Sequence, residues 1–269
     1  MKIKLICILG LFLIFISIYN YIQISQFIVN KLTFHSKKLS KALRVTQISD
    51  YHSNDYINSQ KLLDKIIHFN PHIIVLTGDI IDSKTKDIHP TLDLVGELIN
   101  INPNIFFVIG NHELGNKNGD KFILNLKEMG VTILDNNSQT IDIEGKKINL
   151  CGLSFFATNQ DYQETMIGID EDNFTLLLSH SPNRPIAYSK GIEDLVLTGH
   201  THGGQVRLPL IGAIISPGQG LFPKYDKGVF NINNSILYID SGLGNSIFPI
   251  RLFNRVQISN ITIQPIKNS

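Results

Sequence analysis

The sequence predicts a layered α/β domain preceded by one long apolar helix. Three observations predict it. Short apolar, β-rich runs each end in polar residues, helix-period apolar stripes lie between the first of them, and a near-continuous apolar stretch precedes them all. Hydrophobic residues make up 43% and charged residues 17% of the 269 positions, a balance that builds a core and argues against disorder. The net charge of +1 makes no electrostatic case for nucleic acid, and no such partner is expected.

The apolar stretch comes first. Lys2 and Lys4 precede Leu5 to Ile16, and apolar character persists to Ile24. About 20 helical residues cross a hydrocarbon core. No small-x-small cleavage site follows the stretch, where the residues are Ser17-Ile18-Tyr19-Asn20-Tyr21, which favours an uncleaved anchor over a signal peptide. The expected organisation is an anchor over residues 1–28, a basic linker over 29–42 and one domain over 43–265. Lys2 and Lys4 argue for exporting that domain. Lys31, Lys37, Lys38, Lys41 and Arg44 argue for keeping it cytoplasmic, so the side stays open.

Five runs then read as buried strands. Leu43 to Ile48 leads into Ser49-Asp50, His72 to Leu76 into Thr77-Gly78-Asp79, and Ile105 to Ile109 into Gly110-Asn111-His112. Phe174 to Leu178 leads into Ser179-His180, and Leu195 to Leu197 into Thr198-Gly199-His200. Between them, Leu62, Leu63, Ile66, Ile67 and Phe69 form a helical stripe between Ile57 and Asn70 that Pro71 stops. Thr91 to Ile99 and Lys121 to Met129 read as further helices, the latter closed by Gly130. Ile148 to Leu153 is strand-like and holds Cys151, expected as a buried free thiol. After Gly203 come Gly/Pro-rich turns and strands over Gly228–Ile232, Ser235–Ile239 and Val256–Ile263.

In open α/β sheets, sites form outside the carboxyl ends of the strands, and here every such end offers a metal-ligating group. Asp50-Tyr51-His52 presents a carboxylate and an imidazole two residues apart, on one side of an extended chain. Asp79 follows a glycine that permits a sharp turn, and its two oxygens can bridge two cations. Asn111 offers an amide oxygen beside His112. His180, His200 and His202 complete the series. Each alone is more often an ordinary loop residue than a ligand; in ordered combination they point to a metal centre. His35, His68, His72 and His89 fall outside the pattern.

The series Asp50-x-His52, Gly78-Asp79-x-x-Asp82, Gly110-Asn111-His112-Glu113, His180 and Gly199-His200-x-His202 resembles the calcineurin-like metallophosphoesterase superfamily. The ending Gly199-His200-Thr201-His202-Gly203-Gly204-Gln205, with the anchor, is similar to its YkuE/YaeI-like membrane-anchored branch, which includes an enzyme hydrolysing UDP-2,3-diacylglucosamine. The resemblance implies a four-layer αββα sandwich and two divalent transition metal ions, with Mn, Fe and Zn all suited. One ion would be held by Asp50, His52, Asp79 and His202, the other by Asp79, Asn111, His180 and His200. His112 would face the phosphate without touching a metal, its ring oriented by Glu113 or another acceptor. Where some members carry His-x-Pro-Asp, this chain has His180-Ser181-Pro182-Asn183, with Asn183 expected to cap a helix. Asp82 stands where purple acid phosphatases place a tyrosine, and reads as support for the site.

Such a centre attracts anions, because two divalent ions outweigh the Asp50 and Asp79 carboxylates. Metals about 3.5–4 Å apart lower the pKa of a shared water and clamp phosphoryl oxygens. The expected activity is therefore hydrolysis of a phosphoester or pyrophosphate by metal-bound hydroxide, with His112 assisting the leaving group. The expected substrate is a phosphorylated small molecule, lipid-linked or a nucleotide sugar. UDP-2,3-diacylglucosamine specifically, a nucleotide phosphodiesterase or nuclease activity and, last, a non-catalytic metal-binding membrane scaffold are the alternatives. Arg207, Lys224 and Arg251 are candidates for a second anionic group. The apolar segment from Gln205 to Pro223 either touches lipid or packs on the sandwich.

Overall fold

The apolar runs become the inner strands of two stacked sheets. The structure, a computed structural model, describes residues 2–245 and 249–266. In chain order the helices are α1 (Lys2–Ser25), α2 (Ser59–Phe69), α3 (His89–Ile101), α4 (Asn111–Gly115), α5 (Gly119–Glu128), α6 (Asn159–Thr165) and α7 (Asn183–Tyr188). The strands of the first half are β1 (Ile28–Ser36), β2 (Leu43–Ile48), β3 (Ile73–Leu76), β4 (Ile105–Phe107) and β5 (Thr132–Ile133). Those of the second half are β6 (Asn137–Ile143), β7 (Lys146–Leu153), β8 (Phe174–Ser179) and β9 (Leu195–Thr198). Two small hairpins follow, β10 (Arg207–Leu208) with β11 (Gly212–Ala213) and β12 (Ile215–Ser216) with β13 (Gly220–Leu221). The last strands are β14 (Gly228–Ile232), β15 (Ser235–Ile239) and β16 (Gln257–Pro265).

One six-stranded sheet runs β1-β16-β2-β3-β4-β5 and the other β14-β15-β9-β8-β7-β6. In each, the central strands are parallel, so their carboxyl ends share an edge. Alternation decides the layers. Ile73 and Val75 of β3 point between the sheets to meet Leu176 and Leu178 of β8, whereas Ile74 and Leu76 point outward. The outward side packs on Leu62 and Ile66 of α2, Leu92 and Val95 of α3, and Phe122 of α5. On the far side, Leu177 of β8 and Val196 of β9 meet Tyr162 of α6. Helix, sheet, sheet and helix therefore form the expected four layers.

Local signals act as expected at several ends. The side chain of Asn58 accepts from the Lys61 amide to start α2. At the close of α5, Val131 N donates to Leu126 O at 2.9 Å while Gly130 sits at φ +95°, the left-handed exit that glycine adopts without strain. Asn183, expected as a cap, is instead the first residue of α7. Its amide donates to Ser181 Oγ and its side chain to Gly218 O.

The basic linker expected over 29–42 is also corrected. Residues 28–36 form β1, an edge strand paired in parallel with β16 from Ile28↔Gln257 to Ser36↔Pro265. Phe34 enters the inter-sheet core, while Lys31, Thr33 and His35 are exposed, as edge strands require. Helix α1 has 22 apolar-rich residues, Lys4–Ser25, and is a candidate membrane anchor. Its last turns are fastened to the domain. Asn20 Nδ2 donates to Pro249 O at 2.8 Å, Arg251 N to Asn20 Oδ1 at 2.9 Å, and Val256 N to Gln23 O at 3.0 Å.

Candidate metal centre

The two sheets are stitched together at their shared carboxyl edge, and the stitching gathers the site. Gln47 Nε2 crosses from β2 to Thr198 O at 3.0 Å, His180 Nδ1 lies 2.8 Å from Thr77 O, and His200 N donates to Asp50 Oδ1 at 3.0 Å. Asp50, His52, Asp79, His200 and His202 all sit at positive φ, between 49° and 70°. Left-handed backbone is uncommon for non-glycine residues, and its concentration here marks loops whose shape is set by the site. Gly78 is part of the same constraint. At φ +80°, a Cβ there would stand 2.6 Å from the ring nitrogen of His180.

Asp79 is the centre of the cluster. Its Oδ2 lies 3.0 Å from His180 Nε2 and 3.9 Å from both His52 Nε2 and His112 Nε2. Around it, His52 and His202 face each other through their Nε2 atoms at 3.2 Å, and His200 Nδ1 faces His180 Nε2 at 3.1 Å. Asp50 Oδ1 is 3.6 Å from His202 Nε2. Three trios each bring ligand atoms close enough to share one cation: Asp50–His52–His202, His52–Asp79–His112 and Asp79–His180–His200. Asp50, Asp79, His52, His180 and His202 are buried.

These residues fit divalent cations. Facing imidazole nitrogens satisfy one another only when one of them carries a proton, whereas a cation between imidazole and carboxylate satisfies both. Asn111 Oδ1 is buried without a hydrogen-bond partner among the described residues, an acceptor left for such an ion. Charge points the same way. Burial, then the neighbouring His180 charge, holds His200 down to about 3, and burial with His52 and Arg251 holds His202 well below its ordinary value. Burial opposes a charge on His180, but the adjacent Asp79 carboxylate prevails and lifts it to about 10. Burial likewise acts against charge on Asp79, and the surrounding imidazoles overcome it, holding the carboxyl far below its usual range. Asp50, fully buried, is pushed up to about 6.

His112 stands at the rim, its side chain partly exposed. Ser83 N donates to its Nδ1 at 3.0 Å, which leaves the ring proton on Nε2, the nitrogen turned toward Asp79. Asp82 Oδ2 is 3.1 Å from the same Nδ1 and 3.4 Å from His52 Nδ1, where it can accept once either ring is protonated. Glu113 does not orient the His112 ring. Its buried carboxylate accepts from the amides of Asp79, Ile80, Ile81 and Gly110, shaping both ligand-bearing turns from beneath. Burial pushes that carboxyl up to about 7.

Two expected anion-binding residues are engaged elsewhere. Arg207 Nη1 is paired with Asp226 at 2.8 Å and with Gly203 O. Arg251 is 1% exposed and lies behind His202, donating to the carbonyls of Ser241 and Gly244. A basic residue that the sequence did not single out stands closer to the opening. Exposed Lys84 lines a cleft of about 480 Å³ with His52, Asp82, Tyr56, Asn245 and Pro249.

This fold and cluster define a metallophosphoesterase. The family profile described as Calcineurin-like phosphoesterase matches residues 43–204, and the chain belongs to that family. It is 30% identical over 227 residues to the metallophosphoesterase YkuE of Bacillus subtilis, across 82% of this chain and 79% of that protein. It is 25% identical over 245 residues to the phosphodiesterase YaeI of Escherichia coli, across 88% of both chains. The solved structure of Haemophilus influenzae NAD nucleotidase superposes with a TM-score of 0.51 at 18% identity, over 76% of this chain and 45% of that one, a likeness of fold. The protein is a metal-dependent phosphoesterase.

Proposed function

We propose that the chain hydrolyses a phosphodiester or pyrophosphate bond of a lipid-linked or nucleotide-sugar substrate at a dinuclear centre. Asp50, His52, Asp79 and His202 hold one divalent ion, and Asp79, Asn111, His180 and His200 the other, with Mn, Fe or Zn suited to this donor set. The observation that carries this reading is the position of Asp79, whose carboxylate borders two of the three ligand trios. When bound, the ions supply positive charge that lowers the pKa of water and draws phosphoryl oxygens into the site.

The chain's own residues do the rest. His112 presents its Nε2 proton to the leaving oxygen, and Asp82 stabilises the ring whenever it is charged. Burial as the leading cause, partly offset by Asp79, keeps the His112 ring below its ordinary pKa. At neutral pH the neutral ring therefore donates a hydrogen bond from Nε2 that stabilises charge growing on the leaving oxygen, which takes its proton from water. Lys84 on the cleft wall meets a second anionic group, the role first expected of Arg207 and Arg251. The α1 helix, as a membrane anchor, holds this cleft near lipid-borne substrate.

A metal-dependent activity screen on the full chain in detergent tests the reading, comparing monoesters, diesters, nucleotide sugars and acylated UDP-sugars. Diester or pyrophosphate turnover restored by a divalent ion after chelation is expected. Turnover indifferent to chelation removes the metal centre from the chemistry. Turnover of monoesters alone removes the substrate class.

A further inference from the structure

The longest uncharged segment after the anchor is also the most exposed apolar one. From Leu208 to Pro223 no residue is charged. The two hairpins it forms hold Leu210, Ile211, Ile215, Leu221 and Phe222 in solvent, with Leu210 fully exposed. Contiguous exposed apolar surface of this kind marks an interaction face rather than ordinary scatter.

The hairpins connect to the anchor through one short segment. Arg207 N donates to Leu252 O and Leu252 N to Gln205 O, both at 3.0 Å, which ties the base of the first hairpin to the chain beside Phe253. Phe253 N then donates to Tyr19 Oη at 3.1 Å, and the two rings meet edge to face. Ile250 and Phe253 are themselves exposed, so apolar surface runs from α1 through this segment toward the hairpins.

Length fixes where a bilayer would lie. The free part of α1, Lys4 to Ile18, spans only about 22 Å at 1.5 Å per residue, short of the roughly 30 Å of a hydrocarbon core. A spanning helix therefore needs Tyr19 to Gln23 as well, and those residues touch Pro249, Arg251, Phe253 and Val256. No stretch of aqueous linker separates membrane from domain. Lys224, exposed just after the apolar run, lies over the Tyr225 ring, a basic and aromatic rim of the sort found at headgroup level.

From this geometry we propose that the face formed by the two hairpins and residues 249–253 docks on the lipid bilayer itself, alongside α1. The domain then sits face-down on the membrane rather than swinging on a tether. The cleft to His52 opens within that contact, because its walls Asn54, Tyr56 and Pro249 are the residues that touch Ile24, Tyr21 and Asn20 of α1. Substrate whose phosphoester is carried on a lipid reaches the cleft at headgroup level. The inference rests on α1 being a membrane span, and it gives the lipid-linked substrate class a structural route.

The chain contains no tryptophan, so one introduced residue reports alone. Full-length Leu210→Trp, Phe222→Trp, Phe12→Trp and Leu124→Trp variants would be reconstituted into phosphatidylglycerol–phosphatidylethanolamine vesicles containing brominated lipid. Retained phosphodiester hydrolysis identifies folded protein. Docking predicts that brominated lipid lowers the emission of Leu210→Trp and Phe222→Trp at least about twofold, as for Phe12→Trp, while Leu124→Trp on exposed α5 is unchanged. Quenching of Phe12→Trp without quenching at 210 and 222 overturns the docking and leaves the anchor intact. No quenching of Phe12→Trp overturns the anchor itself. Blue-shifted but unquenched emission at 210 that grows with protein density assigns the face to a second copy of the chain and likewise overturns lipid docking.

Discussion

The buried guanidinium of Arg251 stands with Nη2 3.4 Å from His202 Nδ1 while the same nitrogen donates to Ser241 O at 2.7 Å and Gly244 O at 2.6 Å. Its positive charge is one reason His202 stays neutral and able to bind a cation through the opposite nitrogen. Arg251→Met keeps much of the bulk but removes the donor to the carbonyls of Ser241, Gly244 and Asn254. It is expected to cost about 2–4 kcal/mol of stability and roughly 10–100-fold in metal affinity. Thermal melting and metal titration measure both. Unchanged affinity would show that His202 needs no support from behind.

His112 lies within reach of Asp79 without belonging to either proposed four-ligand set. His112→Ala should therefore lower turnover about 10²–10⁴-fold while bound metal, counted by elemental analysis, stays constant. Asp79→Asn should reduce both, since the carboxylate is shared. Equal metal loss in the two variants would make His112 a ligand.

The contrast between what the sequence disclosed and what it hid is physical. Inner strands are buried on both faces, so Ile73 to Leu76 and Leu176 to Leu178 are continuous apolar runs, and the residues at their ends could be read directly. Strand β1 was hidden because its exposed edge residues Lys31, Thr33 and His35, followed by Lys37 and Lys38, look like a linker. The pairing that makes it a strand comes from β16, more than two hundred residues away. Glu113 had a local signal, since Gly110-x-x-Glu113 is the spacing of a helix-start box, and its carboxylate does return to the Gly110 amide. Arg251 had none. Its partners Ser241, Gly244 and His202 meet it only after folding, as does the loop that places Lys84 in the cleft.

Strand β1 makes a prediction of its own. Removing residues 1–36 takes away the parallel partner of β16 and the buried rings of Phe27 and Phe34, exposing a paired edge. Such a fragment is expected to aggregate on size exclusion, whereas the full chain in detergent elutes as a discrete species. A monodisperse fragment with full activity would make β1 dispensable.

Two glycines at positive φ separate site geometry from backbone strain. Gly130→Ala meets nothing within 4 Å, so it carries only the left-handed penalty, about 1 kcal/mol, with metal uptake unchanged. Gly78→Ala adds a methyl 2.6 Å from the His180 ring, which must rotate away from Asp79. Metal occupancy and turnover should both fall steeply in this variant. Equal behaviour of the two variants, in melting and in metal content, would mean that the His180 ring is not held in place by Gly78.

The Asp79–His180 contact at 3.0 Å also sets a pH dependence. Without metal, His180 holds its proton up to about 10, above its ordinary 6.5. A group raised in this way contributes stability that is fully present below 6.5 and is lost as pH rises through about 10. The lowered carboxyls of Asp79 and Asp82 titrate at much lower pH, while the raised carboxyls of Asp50 and Glu113, at about 6 and about 7, shift stability in the same direction as His180. Binding a metal through His180 must release that proton, so affinity should rise with pH and about one proton should appear in the buffer on loading at pH 7. Calorimetry in two buffers of different ionisation enthalpy counts it. The melting temperature under chelation should decline from pH 7 to 8 while the increment gained on metal loading grows. A proton count of zero, with a metal-induced increment independent of pH, would place the ion away from His180.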